Sequence, residues 1–322
     1  MRDTKRIDLR DDGAGAAVLM CLREGGLAAV PTETVYGLAA DAANGLAVAA
    51  IFEAKGRPHF NPLICHVSDL AMAERYARFD PVSRRLADRF WPGPLTLVLP
   101  VLPGAELHPL VLGGLDTVAL RLPQGPLRSV IASLGRPLAA PSANRSGRVS
   151  PTTAEHVLRT LRGRIDLVAD GGATEQGLES TIVRVLGDEI LLLRPGTLTA
   201  ERIAEEAGLP VRRRAEGDAI TAPGQLLSHY APAGRVRLDA AAPEPGEHWI
   251  GFGPEPVRGL QKAGGTFNLS PDGDLREAAS RLFAALSAFD APEIERIAVA
   301  PIPREGLGEA INDRLRRAAA DR

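Results

Sequence analysis

Cysteine is almost missing from this 322-residue chain: Cys21 and Cys65 stand far apart and form no CxxC pair. That excludes a disulfide framework and points to a reducing, cytoplasmic setting. Long apolar runs are missing too. None reaches the ~18 residues that a membrane span requires, and the charged opening MRDTKRIDLRDD lacks the apolar core of a secretion signal. Neither charge sign prevails, with 38 basic and 40 acidic residues, so no global nucleic-acid footprint is present. Lysine is scarce: only Lys5, Lys55 and Lys262 break the arginine bias. No lysine follows a glycine, which rules out a P-loop. HExxH, Cys/His metal spacings and a GxSxG elbow are also lacking, so no protein-built metal site is expected.

What is present is enough apolar material for a large core, 45% of residues. The length predicts two domains. Residues 13–24 and 42–55 show helical spacing, the second closed by Gly56 with Pro58 beyond. LAAVP (27–31), PLICHV (62–67), PLTLVLP (94–100), TVALRLP (117–123), PLAA (137–140), IDLVAD, STIVRV and EILLLRPG read as strands. Further helices are expected near 69–77, 81–90, 125–135, 152–161 and 199–207. PTETVYGLAAD (31–41) reads as a loop. Residues 1–211 therefore predict an α/β domain with a twisted mixed sheet flanked by helices. Residues 212–234 are polar, rich in Pro and Gly and without period, so they read as a linker. Residues 235–322 alternate strands with helices at 274–289 and 306–319, which predicts a small Rossmann-like α/β domain with a parallel sheet.

Three segments carry polar chemistry between apolar elements. In EAKGRPHFNPLICHV (53–67), Lys55 and Arg57 flank a glycine at a helix end, with Asn61 and His66 beyond. Two cations around a glycine suit an anion; the plain alternative is a C-cap in which both complement the helix dipole. In APSANRSGRVSPT (140–152), Ser142, Asn144, Ser146 and Ser150 precede a helix, as in anion-binding loops. The plain alternative is an N-cap by Ser150 or Thr152. In the hairpin ESTIVRV…LLLRPG, Ser180 and Thr181 open one strand and Arg194 closes the other, with Thr117 and Arg121 on a further strand. Arginine on an apolar strand is costly to bury without an anion, although alternation could also leave each on a solvated face. Lys55, Arg57, Arg121 and Arg194 together match the roughly four charges of a nucleoside triphosphate, each charge-assisted contact contributing about 1.5–3 kcal/mol.

PTETVYGLAADA, KGRPHFNPLICHV, WPGPLTLVL, PSANRSGRVSPT, STIVRV and LRPG, in this order, resemble the YrdC-type threonylcarbamoyl-AMP synthases. APGQLLSHYAP followed by a small α/β domain resembles the linker and tail of the longer, two-domain form. The resemblance implies a nucleotidyltransferase that forms threonylcarbamoyl-AMP and pyrophosphate from L-threonine, bicarbonate and ATP, with Mg²⁺ accompanying ATP. It implies that downstream threonylcarbamoyl-transfer enzymes modify tRNA, and it leaves direct tRNA contact open. It assigns Thr34, His66, Arg121, Ser142 and Ser180 to threonine. Arg57, Asn61, Thr117, Asn144, Ser150, Arg194 and the linker's Tyr230 go to ATP, with Lys55 beside them and Ser146 and Arg148 as alternatives to Ser150. Lys55 and Arg57 would be catalytic, neutralising phosphate charge, and the linker would act as a lid.

Two rivals have different signatures. An RNA-binding module would bind with steep salt dependence and no turnover. Carbamoyl-adenylate formation in hydrogenase maturation resembles much longer fusions with zinc-finger parts, for which this chain lacks the cysteines.

Overall fold

The computed structural model describes residues 2–214, 222, 229–254 and 259–321. The first unit begins with β1 (Lys5–Asp8), α1 (Ala14–Arg23), β2 (Ala28–Pro31), β3 (Tyr36–Asp41), α2 (Gly45–Lys55) and β4 (Ile64–His66). It continues through α3 (Leu70–Glu74), α4 (Pro81–Phe90), β5 (Leu95–Pro100), α5 (Pro109–Leu112), β6 (Thr117–Arg121), α6 (Pro126–Leu134) and β7 (Leu138–Ala139). It ends with α7 (Ala154–Leu161), β8 (Leu167–Asp170), β9 (Thr181–Leu186), β10 (Glu189–Arg194), α8 (Ala200–Ala207) and β11 (Val211–Arg213). Among the described residues these strands form one eleven-stranded sheet, ordered β1-β8-β2-β3-β7-β4-β6-β5-β9-β10-β11. Five pairings are parallel and five antiparallel, so the sheet is mixed, as the strand pattern predicts.

The helices begin where side chains satisfy free backbone N–H groups. Asn44 accepts from Leu46 and Ala47, Asp80 from Val82 and Ser83, and Thr199 from Arg202. Neither Ser150 nor Thr152 caps α7; Thr153 does, through the His156 N–H. That leaves Ser150 for another task. The expected loop over 31–41 is a loop only at its start. Tyr36–Asp41 is strand β3, every residue buried, paired with β2 on one side and β7 on the other. Small side chains on both faces let a central strand lack the alternation that announces an exposed one. The expected linker also starts late, because Val211–Arg213 pairs with β10 as an edge strand. Most of the segment read as a lid, including its QLLS stretch, lies outside the described residues.

The second unit holds β12 (Arg235–Arg237), β13 (His248–Gly251), β14 (Gly265–Asn268), α9 (Leu275–Ala288), β15 (Arg296–Val299) and α10 (Leu307–Ala319). Its strands are all parallel, in the order β12-β15-β13-β14. No helix among the described residues is long and apolar enough to cross a membrane. The core of this unit does not end at its own border. Val35, Val149 and Leu178 of the first unit, and Tyr230, share one apolar cluster with Leu282, Phe283, Leu286 and Ile311.

Gly177 marks how closely the units approach. Its φ is +70°, and a Cβ there would lie 2.3 Å from the Ser280 carbonyl oxygen on α9. Backbone cannot swing aside as a side chain can. Gly177→Ala is expected to destabilise the chain by about 2 kcal/mol or more, from strain and overpacking together. Denaturant unfolding measures it; a loss under about 0.5 kcal/mol would place it among neutral surface changes and contradict the close contact.

Candidate active site

β4 and β6 run parallel with His66 opposite Arg121, so one face of the sheet presents an imidazole beside a guanidinium. Ser142 meets this face because its backbone bridges to Gly37 of β3. The α2 helix ends at Gly56, which takes the left-handed conformation (φ 60°) and turns the chain so that Arg57 follows inward. A register shift in β10 between Leu192 and Arg194 brings Arg194 over Ser180; such bulges re-aim a side chain. Together Arg57, His66, Arg121, Ser142, Ser180, Arg194 and Tyr230 line one cavity, with Thr32, Glu179 and His229 among its other walls. Its free space is about 50 Å³, far below the several hundred Å³ of ordinary ligand pockets. His229 and Tyr230, contributed by the segment joining the two units, form part of its wall.

The cavity is lined by three arginines. The Arg57 guanidinium donates to the Asn61 carbonyl (3.2 Å) and the Pro62 carbonyl (2.8 Å). Arg194 donates to the Ser180 carbonyl at 2.9 Å and to the Ser180 hydroxyl at 3.1 Å. Among the described residues neither is paired with a carboxylate in an ion pair. Burial, and then the charge of Arg194, push Arg57 down to about 10; burial lowers Arg194 as well. Lys55 is pushed well below its ordinary value by burial and by Arg57. Cations held against their own solvation are poised for an anion that would relieve all of them. The two histidines are neutral: burial and Arg121 hold His66 well below 6.5, while burial and the nearby cations hold His229 near 3 despite Glu179.

Arg121 lies 2.7 Å from Glu33, both buried. The contact pairs their charges without an aligned hydrogen bond between those atoms, so donors remain for a ligand. Buried polar atoms without a partner cluster nearby: both side-chain polar atoms of Asn61, and one each on His66, Asn144, His229 and Tyr230. Buried groups of this kind are rare in a finished core.

Of the residues expected from the sequence, several stand behind the wall rather than on it. The Thr34 hydroxyl meets the Thr32 hydroxyl at 2.8 Å. Lys55 donates to the carbonyls of Ser142 and Asn144, 2.5 Å each, pinning that loop and keeping one further N–H of its three. Asn144 braces the same loop through the Arg145 and Arg148 carbonyls. Ser150 donates to Glu179 at 2.5 Å, and Arg148 turns toward Asp290. Thr117 is buried at the far end of β6, on the face that carries Arg121. Beside it runs an apolar patch of Ile64, Val98, Ala119, Ile182 and Leu193, packed with Ala222. Sequence reasoning missed Glu33 and Glu179. Their signal was present, two acids inside PTET and GLEST, but an acid in a basic pocket argues against itself until its cation is known. It also missed Arg314, which reaches Glu179 from α10 at 3.0 Å.

Known proteins resemble this chain along most of its length. A family model described as telomere recombination (Sua5/YciO/YrdC) matches residues 20–196, and one described as the threonylcarbamoyl-AMP synthase C-terminal domain matches residues 197–320. A Bacillus subtilis protein named threonylcarbamoyl-AMP synthase is 41% identical, covering 96% of this chain and 93% of its own. A Pyrococcus abyssi protein of the same name is 41% identical, covering 94% and 92%. The crystal structure of P. abyssi Sua5 complexed with L-threonine superposes with a TM-score of 0.86 at 37% identity, over 98% of this chain and 97% of that one. Full-length HypF in a phosphate- and nucleotide-bound form shares the fold of 57% of this chain but only 29% of its own, at 20% identity and a TM-score of 0.52. With both family models matched in order and curated relatives aligned over nearly their full length, the chain belongs to the Sua5/YciO/YrdC family, in the two-domain form that carries the threonylcarbamoyl-AMP synthase C-terminal domain.

Proposed function

We propose that this chain makes L-threonylcarbamoyl-AMP from L-threonine, bicarbonate and ATP, as an adenylyl-transferring enzyme that supplies tRNA threonylcarbamoylation. The observation that carries the reading is the cavity in which, among the described residues, Arg57 and Arg194 donate to carbonyl and hydroxyl oxygens and form no ion pair. Duplex RNA could not reach cations buried this deeply, which disfavours a simple RNA-binding module. The chemistry asks little of a protein base. The threonine amine and bicarbonate give a carbamate and water. A carbamate oxygen attacks the α-phosphorus while the α–β phosphoanhydride bond breaks and pyrophosphate leaves. Alignment, charge neutralisation and exclusion of water are what remain for the enzyme.

Arg57, Arg194 and Lys55 neutralise the phosphates, Lys55 also by holding the 142–144 loop. Tyr230 contacts the nucleotide from the wall, and Asn61, Asn144 and Ser150, now behind it, reach the nucleotide once the cavity opens. Thr117 and the apolar patch of Ala119, Ile64 and Ile182 receive its flat base. Arg121 takes the threonine carboxylate, and Thr34, His66, Ser142 and Ser180 surround the rest. Neutral His66 serves as a hydrogen-bond partner rather than a competing cation. Mg²⁺ enters with ATP as part of the substrate. The closed cavity requires His229 and Tyr230 to withdraw before a nucleotide enters and to return before chemistry. The mixed-anhydride product hydrolyses readily, so a transfer enzyme must receive it soon after release.

Incubation with MgATP, bicarbonate and each amino acid in turn, with pyrophosphate and the adenylate quantified, tests the reading. Pyrophosphate should appear only with threonine and bicarbonate together. Valine, isosteric but lacking the hydroxyl, should react more than about a hundredfold less well, since a buried polar pocket left unpaired penalises it. Pyrophosphate release indifferent to threonine would remove the assignment.

A further inference from the structure

Glu179 is a carboxylate in the wall of a site built for anions, and it needs an account. Its side chain is buried; one oxygen accepts from Ser150 at 2.5 Å and the other from Arg314 at 3.0 Å. Arg314 sits on α10, the last helix of the second unit, and is fully buried. Its Nη1 donates to the Pro195 carbonyl (2.7 Å), directly after Arg194, and to Asp313 (2.9 Å). Its guanidinium carbon lies 5.4 Å from the centre of the Tyr230 ring, which also meets His229 at 4.0 Å and Phe283 of α9 at 5.3 Å. Tyr230 itself has φ 63°, a conformation that a tyrosine keeps only when its surroundings impose it. One side chain of the second unit thus touches the wall carboxylate, the strand end that presents Arg194, and the residue that closes the cavity.

We propose that Arg314 is a positioning residue for the active site: it engages Glu179, which would otherwise draw Arg194 away from the phosphates, and it holds Tyr230 in the closed position. The inference rests on the synthase reading above. Burial alone would raise Glu179, but Arg314 first, then Arg194 and Ser150, hold it ionised near 2; His229 faces it too. With Arg314 removed, Arg194 is the remaining guanidinium acting on that carboxylate. A buried carboxylate without its partner recruits the nearest cation or protonates. In this protein either outcome spoils the site: the first misdirects Arg194 and the second loosens Ser150. The second unit therefore completes the active site rather than accompanying it.

The test uses Arg314→Met, Glu179→Gln and the double variant in the full-length chain. Arg314→Met should lower kcat about thirtyfold or more and raise KM for ATP, with KM for threonine changing less. The double variant should recover at least about fivefold over Arg314→Met, because glutamine can still accept from Ser150 and no longer competes for Arg194. A merely structural role predicts recovery of stability alone, with kcat per folded molecule unchanged between the single and double variants, so kcat is referred to the folded fraction measured by denaturant unfolding. Hydrogen exchange at His229 and Ala231, whose amides bond to the Arg317 and Gly147 carbonyls, should speed up in Arg314→Met while α9 stays protected. Should Arg314→Met fail to fold, Arg314→Lys and the double variant, which leaves no unpaired buried acid, carry the same comparison. Wild-type kcat and KM with unchanged exchange in Arg314→Met would overturn the proposal, as would a double variant no better than the single one. A wild-type protein that releases no pyrophosphate would instead overturn the synthase reading, while the exchange rates would still report whether Arg314 holds the linker.

Discussion

Arg57→Ala is expected to lower kcat/KM for ATP by about 10³-fold while the protein stays folded, the loss expected when a preorganised donor to a developing charge is removed. The two halves of that outcome have one cause. Arg57 is buried beside Arg194, and its depression to about 10 means the fold strains to keep it charged. Alanine removes that repulsion as well as the bonds to the Asn61 and Pro62 carbonyls. The melting temperature should therefore fall little, although a large buried side chain is lost. A group that costs stability and is retained is retained for function. Lys55→Ala should reach a comparable loss by another route. Its ammonium fastens the carbonyls of Ser142 and Asn144, so the loop carrying both residues would drift. Steady-state kinetics beside thermal unfolding measures both variants. Activity within about threefold of wild type for Arg57→Ala would end its assignment to the phosphates, since a charge-assisted contact exceeds that.

The parts of the site that could be read in the sequence are those whose chemistry is local. Gly56 between two cations, the Ser/Asn loop before α7, and Arg194 at the end of an apolar strand each announce an anion within a few residues. The strands and helices were legible wherever an apolar period ran for a full element, as in Leu95–Pro100 or Leu275–Ala288. β3 was not, because PTET looks like a turn and the strand behind it is buried on both faces. Roles set by distant partners were also hidden. Lys55 reads as a cation for phosphate, yet two of its donors serve carbonyls 87 and 89 positions away. Glu179 has its partner 135 positions away on an amphipathic helix where Arg314 resembles its exposed neighbour Arg316. Register and domain docking decide such pairs, and no local pattern encodes them.

Arg121→Met should raise KM for threonine at least about a hundredfold and also destabilise the chain, and the two effects can be separated. The first follows from losing the guanidinium that faces the cavity beside His66. The second follows from Glu33, which is buried and would keep only the Gln124 N–H at 3.1 Å. Breaking a buried pair by removing one partner costs about 3–5 kcal/mol, because the other charge is left without compensation. Adding Glu33→Gln removes that orphaned charge. The double variant should regain most of the lost stability in a denaturant titration, yet bind threonine as poorly as Arg121→Met alone. If both stability and threonine KM return together, Arg121 serves the fold and not the substrate. If stability returns and KM does not, the buried acid's task is to keep an otherwise unpaired arginine foldable before threonine arrives.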